Sequence, residues 1–167
     1  FPLTSIDELP GLIQSKPSLK GLAITIPYKQ SAIPYLQNVS NDAHQIGAVN
    51  CIKIKEGLLT GYNTDIIGFE KSFTPLLKPL HKKALILGTG GSSKAVQFVL
   101  NKLQIPFLLV TRTPGIDKMF VSYTEVDKTL LSEYSIVINC TPLGMTPAVD
   151  AKPLLPYNFI SESHYLY

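Results

Sequence analysis

The strongest constraint on the fold lies at residues 82–96, Lys82-Lys83-Ala84-Leu85-Ile86-Leu87-Gly88-Thr89-Gly90-Gly91-Ser92-Ser93-Lys94-Ala95-Val96. Residues 84–87 are apolar at every position, the pattern of a parallel strand buried on both faces. Gly88 and Gly90 permit a tight turn in which backbone N–H groups approach a diphosphate with no Cβ in between. Ser92 and Ser93 then open a helix, whose unpaired N–H groups and positive dipole end favour an anion. Val96, Val99, Leu100 and Leu103 recur at i, i+3, i+4 and i+7 and give that helix one apolar stripe. Strand, glycine turn and helix in this order predict a dinucleotide cradle from Gly88 through Thr89, Gly90, Gly91 and Ser92 to Ser93. Ser93 stands where the fingerprint usually has its third glycine.

A second apolar strand at residues 105–110 ends at Thr111-Arg112-Thr113. An NAD-preferring site places a carboxylate about 20 residues past the glycines to hold the ribose 2′-hydroxyl. This chain has an arginine between two threonines instead. A planar guanidinium bonds two oxygens of a 2′-phosphate, which favours NADP over NAD. The competing reading makes Arg112 a surface residue in the turn before Pro114-Gly115. A third buried strand, residues 136–140, leads into the sharp turn Thr141-Pro142-Leu143-Gly144-Met145. Ligands of an open parallel sheet sit beyond the carboxyl ends of its strands, so this turn is expected to face the same cleft as the glycine loop.

The first half reads as a helix at residues 5–14, weakened by Pro10 and Gly11, and a strand at 21–27 closed by Pro27. A helical stretch through Ala32, Ile33, Leu36 and Val39 follows, then a helix at 40–46 capped by Ser40 or Asn41. A strand at 47–54, a turn at Lys55-Glu56-Gly57 and a returning strand at 58–62 predict an antiparallel hairpin. The next helix runs from Ile66 to about Leu77. Lys29, Asn50 and Asp65 each follow an apolar strand, the usual place for residues lining a cleft. Each also has a plain structural reading: a solvated cation, a turn hydrogen bond and a helix N-cap, respectively.

Composition bounds the rest. A net charge of +3 over 167 residues with mixed signs gives no ground for a nucleic-acid or membrane partner, and no apolar run approaches ~20 residues. Cys51 and Cys140, far apart, form neither a disulfide framework nor a metal site, which points to a reduced, cytoplasmic setting. Cys140 reads as a small core residue rather than a nucleophile, and His44, His81 and His164 have no metal-ligand spacing. The ends, Phe1-Pro2 and His164-Tyr165-Leu166-Tyr167, read as interior segments of a longer protein; the last has strand character.

Taken in order, Gly21-x4-Ile26-Pro27-Tyr28-Lys29, Gly47-Ala48-Val49-Asn50, Gly61-Tyr62-Asn63-Thr64-Asp65-x2-Gly68, Gly88 to Ser93, Thr111-Arg112-Thr113 and Asn139-Cys140-Thr141-Pro142-Leu143-Gly144-Met145 resemble the motifs of the shikimate dehydrogenase family. The resemblance implies an α/β fold of two domains: an incomplete substrate domain at residues 1–65 and a Rossmann-like, doubly wound NADP-binding domain at 66–167. It implies reversible, NADP-dependent reduction of 3-dehydroshikimate to shikimate, on the route to chorismate and the aromatic amino acids, by a monomer or homodimer. Lys29 and Asp65 match the family's catalytic pair, and Thr25 and Asn50 match positions that bond the substrate hydroxyls. Gly88, Thr89, Gly90, Gly91, Ser92 and Ser93 match the diphosphate loop, and Thr111, Arg112 and Thr113 the 2′-phosphate clamp. Thr141, Pro142 and Met145 belong to the turn that backs the nicotinamide.

The residue types suit that chemistry, because oxidising a secondary alcohol needs a hydride acceptor and a group that takes the hydroxyl proton. The family also has two serines that hold the substrate carboxylate, on a strand ahead of these motifs, and a glutamine-bearing helix after them. Neither has a counterpart here, so carboxylate recognition by these residues alone is expected to be weak. Thr111 replaces the family's usual asparagine. A quinate-oxidising paralogue and a non-catalytic NADP-binding module are the alternatives; the second has no use for Lys29, Asn50 and Asp65 together.

Overall fold

In the computed structural model, which describes residues 1–115 and 117–167, the strands form two separate sheets, one four-stranded and one five-stranded. The chain divides accordingly into two units, Phe1–Ile67 and Gly68–Tyr167.

The first unit opens with a 3-10 turn, Ile6–Glu8, that runs into α1 (Leu9–Ser15). Ser5 and Glu8 cap it reciprocally, and Pro10 falls in the first turn of α1, where a missing N–H goes unnoticed. Strand β1 is Gly21–Ala23, shorter than the sequence suggests. Its partner supplies one more acceptor, the Asn50 carbonyl for the Ile24 N–H (2.8 Å); beyond it the Thr25 carbonyl turns to accept from Tyr28 N–H (2.9 Å).

The expected helix through Ala32 and Val39 does not form. Pro34 admits only a 3-10 turn, Ile33–Tyr35, and Asn38–Val39 become β2, paired with Thr60 and Gly61. The helix α2 (Asn41–Ile46) follows, with Ser40 as N-cap and Gly47 as its left-handed C-cap. Gly47 therefore belongs to the helix end, and β3 starts later than expected, at Cys51–Lys55. The hairpin to β4 (Leu58–Tyr62) turns at Glu56 and Gly57, with φ of 51° and 76°, as a two-residue turn matching strand twist requires. The sheet order is β1-β3-β4-β2. Buried Ala32, Ala43 and Val49 form the core beside it, with Ile24, Leu36 and Val39 packed around them.

Helix α3 (Asp65–Phe73) begins in the first unit and continues into the second, where a 3-10 turn, Thr74–Leu76, ends it. Strand β5 (Ala84–Leu87) is buried at all four positions, as its composition demands. Next come α4 (Gly91–Lys102), β6 (Phe107–Thr111), β7 (Phe120–Ser122), α5 (Lys128–Glu133), β8 (Ile136–Asn139) and β9 (Tyr165–Leu166). All pairings in this sheet are parallel, in the order β7-β6-β5-β8-β9.

From β5 the chain steps outward to β6 and β7, then crosses back to β8 on the other side of β5. Right-handed crossovers in opposite directions place α4 and α5 on opposite faces, a Rossmann-like arrangement. Leu85, Leu87, Val110 and Val137 meet Val126 and Leu131 in the core on the α5 face. The strand order reverses between β5 and β8, so the crevice for a ligand opens beyond their carboxyl ends. Beside β9, Phe73 stacks on Tyr165 and Phe69 meets Tyr167 edge-on, anchoring the later part of α3 to this unit.

Candidate functional site

Lys29, Asn50 and Asp65 converge in the first unit. Lys29 Nζ donates to Asp65 Oδ2 at 2.7 Å, and Asn50 Nδ2 donates to Asp65 Oδ1 at 2.7 Å. The two side chains of the ion pair are 13% and 34% exposed, so Lys29 is not a solvated surface cation. Asp65 is the first residue of α3, and its carboxylate is bonded on both oxygens, Oδ2 to Lys29 and Oδ1 to Asn50. The Val49 N–H donates to the Lys29 carbonyl (2.7 Å), and the Asn50 N–H to the Tyr62 carbonyl (2.9 Å). Backbone bonds thus tie together the three loops that carry the three side chains. Thr25 is exposed in the turn leading to Lys29.

Two neighbours escaped the sequence reading. Thr64 donates its N–H to Asn50 Oδ1 (2.8 Å) and accepts from Asn50 Nδ2 through its hydroxyl (2.9 Å), which fixes the rotamer of Asn50. Asn63 is buried; its Nδ2 donates to the Ala48 carbonyl (3.0 Å) and its Oδ1 accepts the Asp65 N–H (3.1 Å). Their position directly before Asp65, ahead of a helix, was the available signal. What these side chains reach depends on the loop at residues 48–50, which sequence spacing does not place.

The second unit holds the glycine loop. Gly88 has φ 97°, a conformation other residues rarely adopt, and a Cβ there would meet Thr141 Cγ2 at 3.1 Å and the Cys140 carbonyl at 3.3 Å. The loop after β5 is therefore pressed against the turn after β8. Gly90, the N-cap of α4, has an ordinary φ of −75°, and a Cβ there would meet no protein atom within 4 Å. Packing alone does not require glycine at this position. A side chain would only fill the open space before the first N–H groups of α4, the kind of place that favours an anion. Thr89 and Gly90 are exposed at the rim, and Gly91 and Ser92 are half-buried in the first turn of α4. Ser93 is buried, and its hydroxyl accepts from Gln97 Nε2 (3.0 Å), so it offers the cradle its backbone rather than its side chain.

At the end of β6, Thr111 is half-buried, whereas Arg112 and Thr113 are exposed. Burial raises the Tyr123 phenol, and the Arg112 charge opposes that rise. In the turn after β8, Asn139 Oδ1 accepts from the Thr141 N–H (3.0 Å) and hydroxyl (2.6 Å), and Asn139 Nδ2 donates to the Leu143 carbonyl (3.1 Å). Asn139 is a third residue that the sequence reading left without a role. The Thr141 side chain meets Gly88, Pro142 accepts the Met145 N–H (3.2 Å), and Met145 is 59% exposed. Desolvation pushes the Cys140 thiol up to about 12, so it holds no thiolate at neutral pH. Among the described residues, no His, Cys, Asp and Glu cluster could hold a metal, and no helix is long and apolar enough to cross a membrane.

Several known proteins are similar to this chain. Residues 4–52 match the family model described as the shikimate dehydrogenase substrate binding domain. A Clostridium botulinum protein named shikimate dehydrogenase (NADP(+)) is 34% identical over 157 residues, covering 89% of this chain and 61% of that protein. The structure of shikimate 5-dehydrogenase from Thermus thermophilus, in complex with NADP(H) and shikimate, aligns with a TM-score of 0.79 at 30% identity, covering 98% of this chain and 63% of that one. Quinate dehydrogenase from Corynebacterium glutamicum, in complex with NAD, aligns with a TM-score of 0.79 at 26% identity over 95% of this chain and 62% of that one. The chain spans about three fifths of the length of the relatives it matches. Its motifs, its Rossmann-like sheet and these relatives agree: the chain belongs to the shikimate dehydrogenase family.

Proposed function

We propose that this chain carries the catalytic pair and the cofactor cradle of an NADP-dependent dehydrogenase that interconverts 3-dehydroshikimate and shikimate. The bonding of Asp65 to both Lys29 and Asn50 carries the reading, since cofactor binding alone requires none of the three. Residues 1–65 supply the substrate chemistry and residues 66–167 hold NADP. The partner is a small molecule, not nucleic acid or a membrane, and the protein acts in the cytoplasm as a monomer or homodimer.

Lys29 and Asp65 form a proton relay. Lys29 Nζ gives a proton to the substrate oxygen as the carbonyl is reduced and recovers one through Asp65 Oδ2, 2.7 Å away. Asn50 holds the other Asp65 oxygen and, with Thr25, offers polar groups to the substrate hydroxyls. NADPH, when bound, supplies the hydride. Gly88, Thr89, Gly90, Gly91, Ser92 and the Ser93 backbone receive its diphosphate, Arg112 with Thr111 and Thr113 its 2′-phosphate, and the Thr141-Pro142 turn with Met145 backs the nicotinamide.

The second reading, oxidation of quinate, has the fold of the Corynebacterium glutamicum quinate dehydrogenase in its favour. Reduction of NADP and of NAD is followed with shikimate and with quinate as hydride donors. Reduction of NADP by shikimate, well above the other three combinations, is the expected result. Faster reaction with quinate moves the assignment to the second reading, and no reduction with either acid, even at concentrations high enough to offset weak carboxylate recognition, overturns both.

A further inference from the structure

We infer that Asn63 is the positioning residue that sets Asp65 against Lys29 and Asn50. It is 6% exposed, and a buried amide that deep persists only with its hydrogen bonds made. Both ends are used. Nδ2 donates to the Ala48 carbonyl (3.0 Å) in the strand-entry loop, and Oδ1 accepts the Asp65 N–H (3.1 Å) at the start of α3. Ala48 lies two residues before Asn50, whose Nδ2 reaches Asp65 Oδ1 at 2.7 Å. The result is a closed ring: Ala48 to Asn50 along the chain, Asn50 to Asp65, Asp65 to Asn63, and Asn63 back to Ala48. The Lys29 carbonyl is held to the same loop by the Val49 N–H (2.7 Å).

A residue needed only to start the helix would require the oxygen alone, and Asp or Ser would supply it. The second bond, made by the amide nitrogen to a segment 15 residues away, is what a helix cap does not need. With it, the Asp65 backbone is fixed to the loop carrying Asn50, and the carboxylate falls between Asn50 and Lys29. Without it, the Asn50 N–H on the Tyr62 carbonyl and the bonds of the Asn50 side chain to Thr64 and Asp65 connect the two segments, and no bond to the Asp65 backbone is among them.

The consequence for turnover rests on the proposed dehydrogenase reading; the geometry does not, and the test separates them. In Asn63→Ser the hydroxyl still accepts from the Asp65 N–H but falls short of the Ala48 carbonyl. Exchange of the Asn50 side-chain amide protons with water, followed by NMR, is expected to rise about tenfold in the variant, the size of one lost bond. The backbone amides of Leu85 and Val137 keep their protection, and shikimate affinity falls while NADPH affinity stays. Unchanged Asn50 exchange, or a rise shared equally with Leu85 and Val137, overturns the inference. If Asn63→Ser does not fold, exchange of the Asn63 side-chain amide in the unaltered protein decides. Strong protection supports the ring, and exchange at the rate of a free amide overturns it. A protein that binds no shikimate at all defeats the functional reading while the Asn50 measurement still judges this one.

Discussion

In the proposed reading Arg112 and Gly88 meet separate parts of the cofactor, so their variants should fail differently. Arg112 is exposed just after β6, where it can meet a phosphate without disturbing the core. Arg112→Ala is expected to weaken NADPH binding by about 1.5–3 kcal/mol, the range for bonds to a charged group, and to leave NADH binding nearly unchanged in calorimetric titrations. Equal losses for both cofactors would remove Arg112 from the 2′-phosphate. Gly88→Ala forces a Cβ into a left-handed conformation 3.1 Å from Thr141 Cγ2. It should cost about 1–2 kcal/mol of stability in urea unfolding and weaken NADPH and NADH alike. Lys29, Asn50 and Asp65 stood out in the sequence as polar residues next to apolar runs; in the fold Asp65 comes soon after β4, whereas Lys29 lies in the turn well past β1 and Asn50 sits just ahead of β3. Asn63, Thr64 and Asn139 did not stand out, because their partners are backbone groups and side chains in loops that only the folded chain aligns.

Between α3 and β5, His81 gives this segment a pH dependence. It is buried, its Nδ1 accepts the Lys78 N–H (3.0 Å), and its ring stacks on Tyr165 of β9. Burial, with the nearby Lys78 charge, holds its pKa below the 6.5 of an ordinary histidine; the Ser163 backbone opposes them. The unfolded chain therefore binds the His81 proton at a higher pH than the folded protein does. The stability this group contributes is complete above the unfolded value and is lost as pH falls from there toward the folded one. Urea unfolding between about pH 7 and pH 5 should show a steeper loss in the unaltered protein than in His81→Phe, and parallel curves would contradict it.

At the same scale, the strands at β5, β6 and β8 could be read from their apolar runs, and the hairpin from its turn. The short strands β2 and β7 could not, because two or three residues carry no period of their own and owe their conformation to a parallel neighbour. Apolar residues around Pro34 imitated helical spacing in a segment that this proline keeps from becoming an α-helix.

For the molecule as a whole, the proposed reading puts the proton chemistry in residues 1–65 and the cofactor in residues 66–167. Chemistry and cofactor binding should then be separable by one substitution. Lys29→Ala removes the amine bonded to Asp65 and alters no residue of the glycine loop, of Thr111-Arg112-Thr113 or of the Thr141-Pro142 turn. The decisive measurement pairs shikimate-dependent reduction of NADP with calorimetric NADPH binding, in the unaltered protein and in Lys29→Ala. The expected result is a fall in turnover of about 10²–10⁴-fold, the usual contribution of a positioned acid–base group, with NADPH affinity unchanged. Turnover that survives the substitution, or is lost only together with NADPH binding, would contradict it.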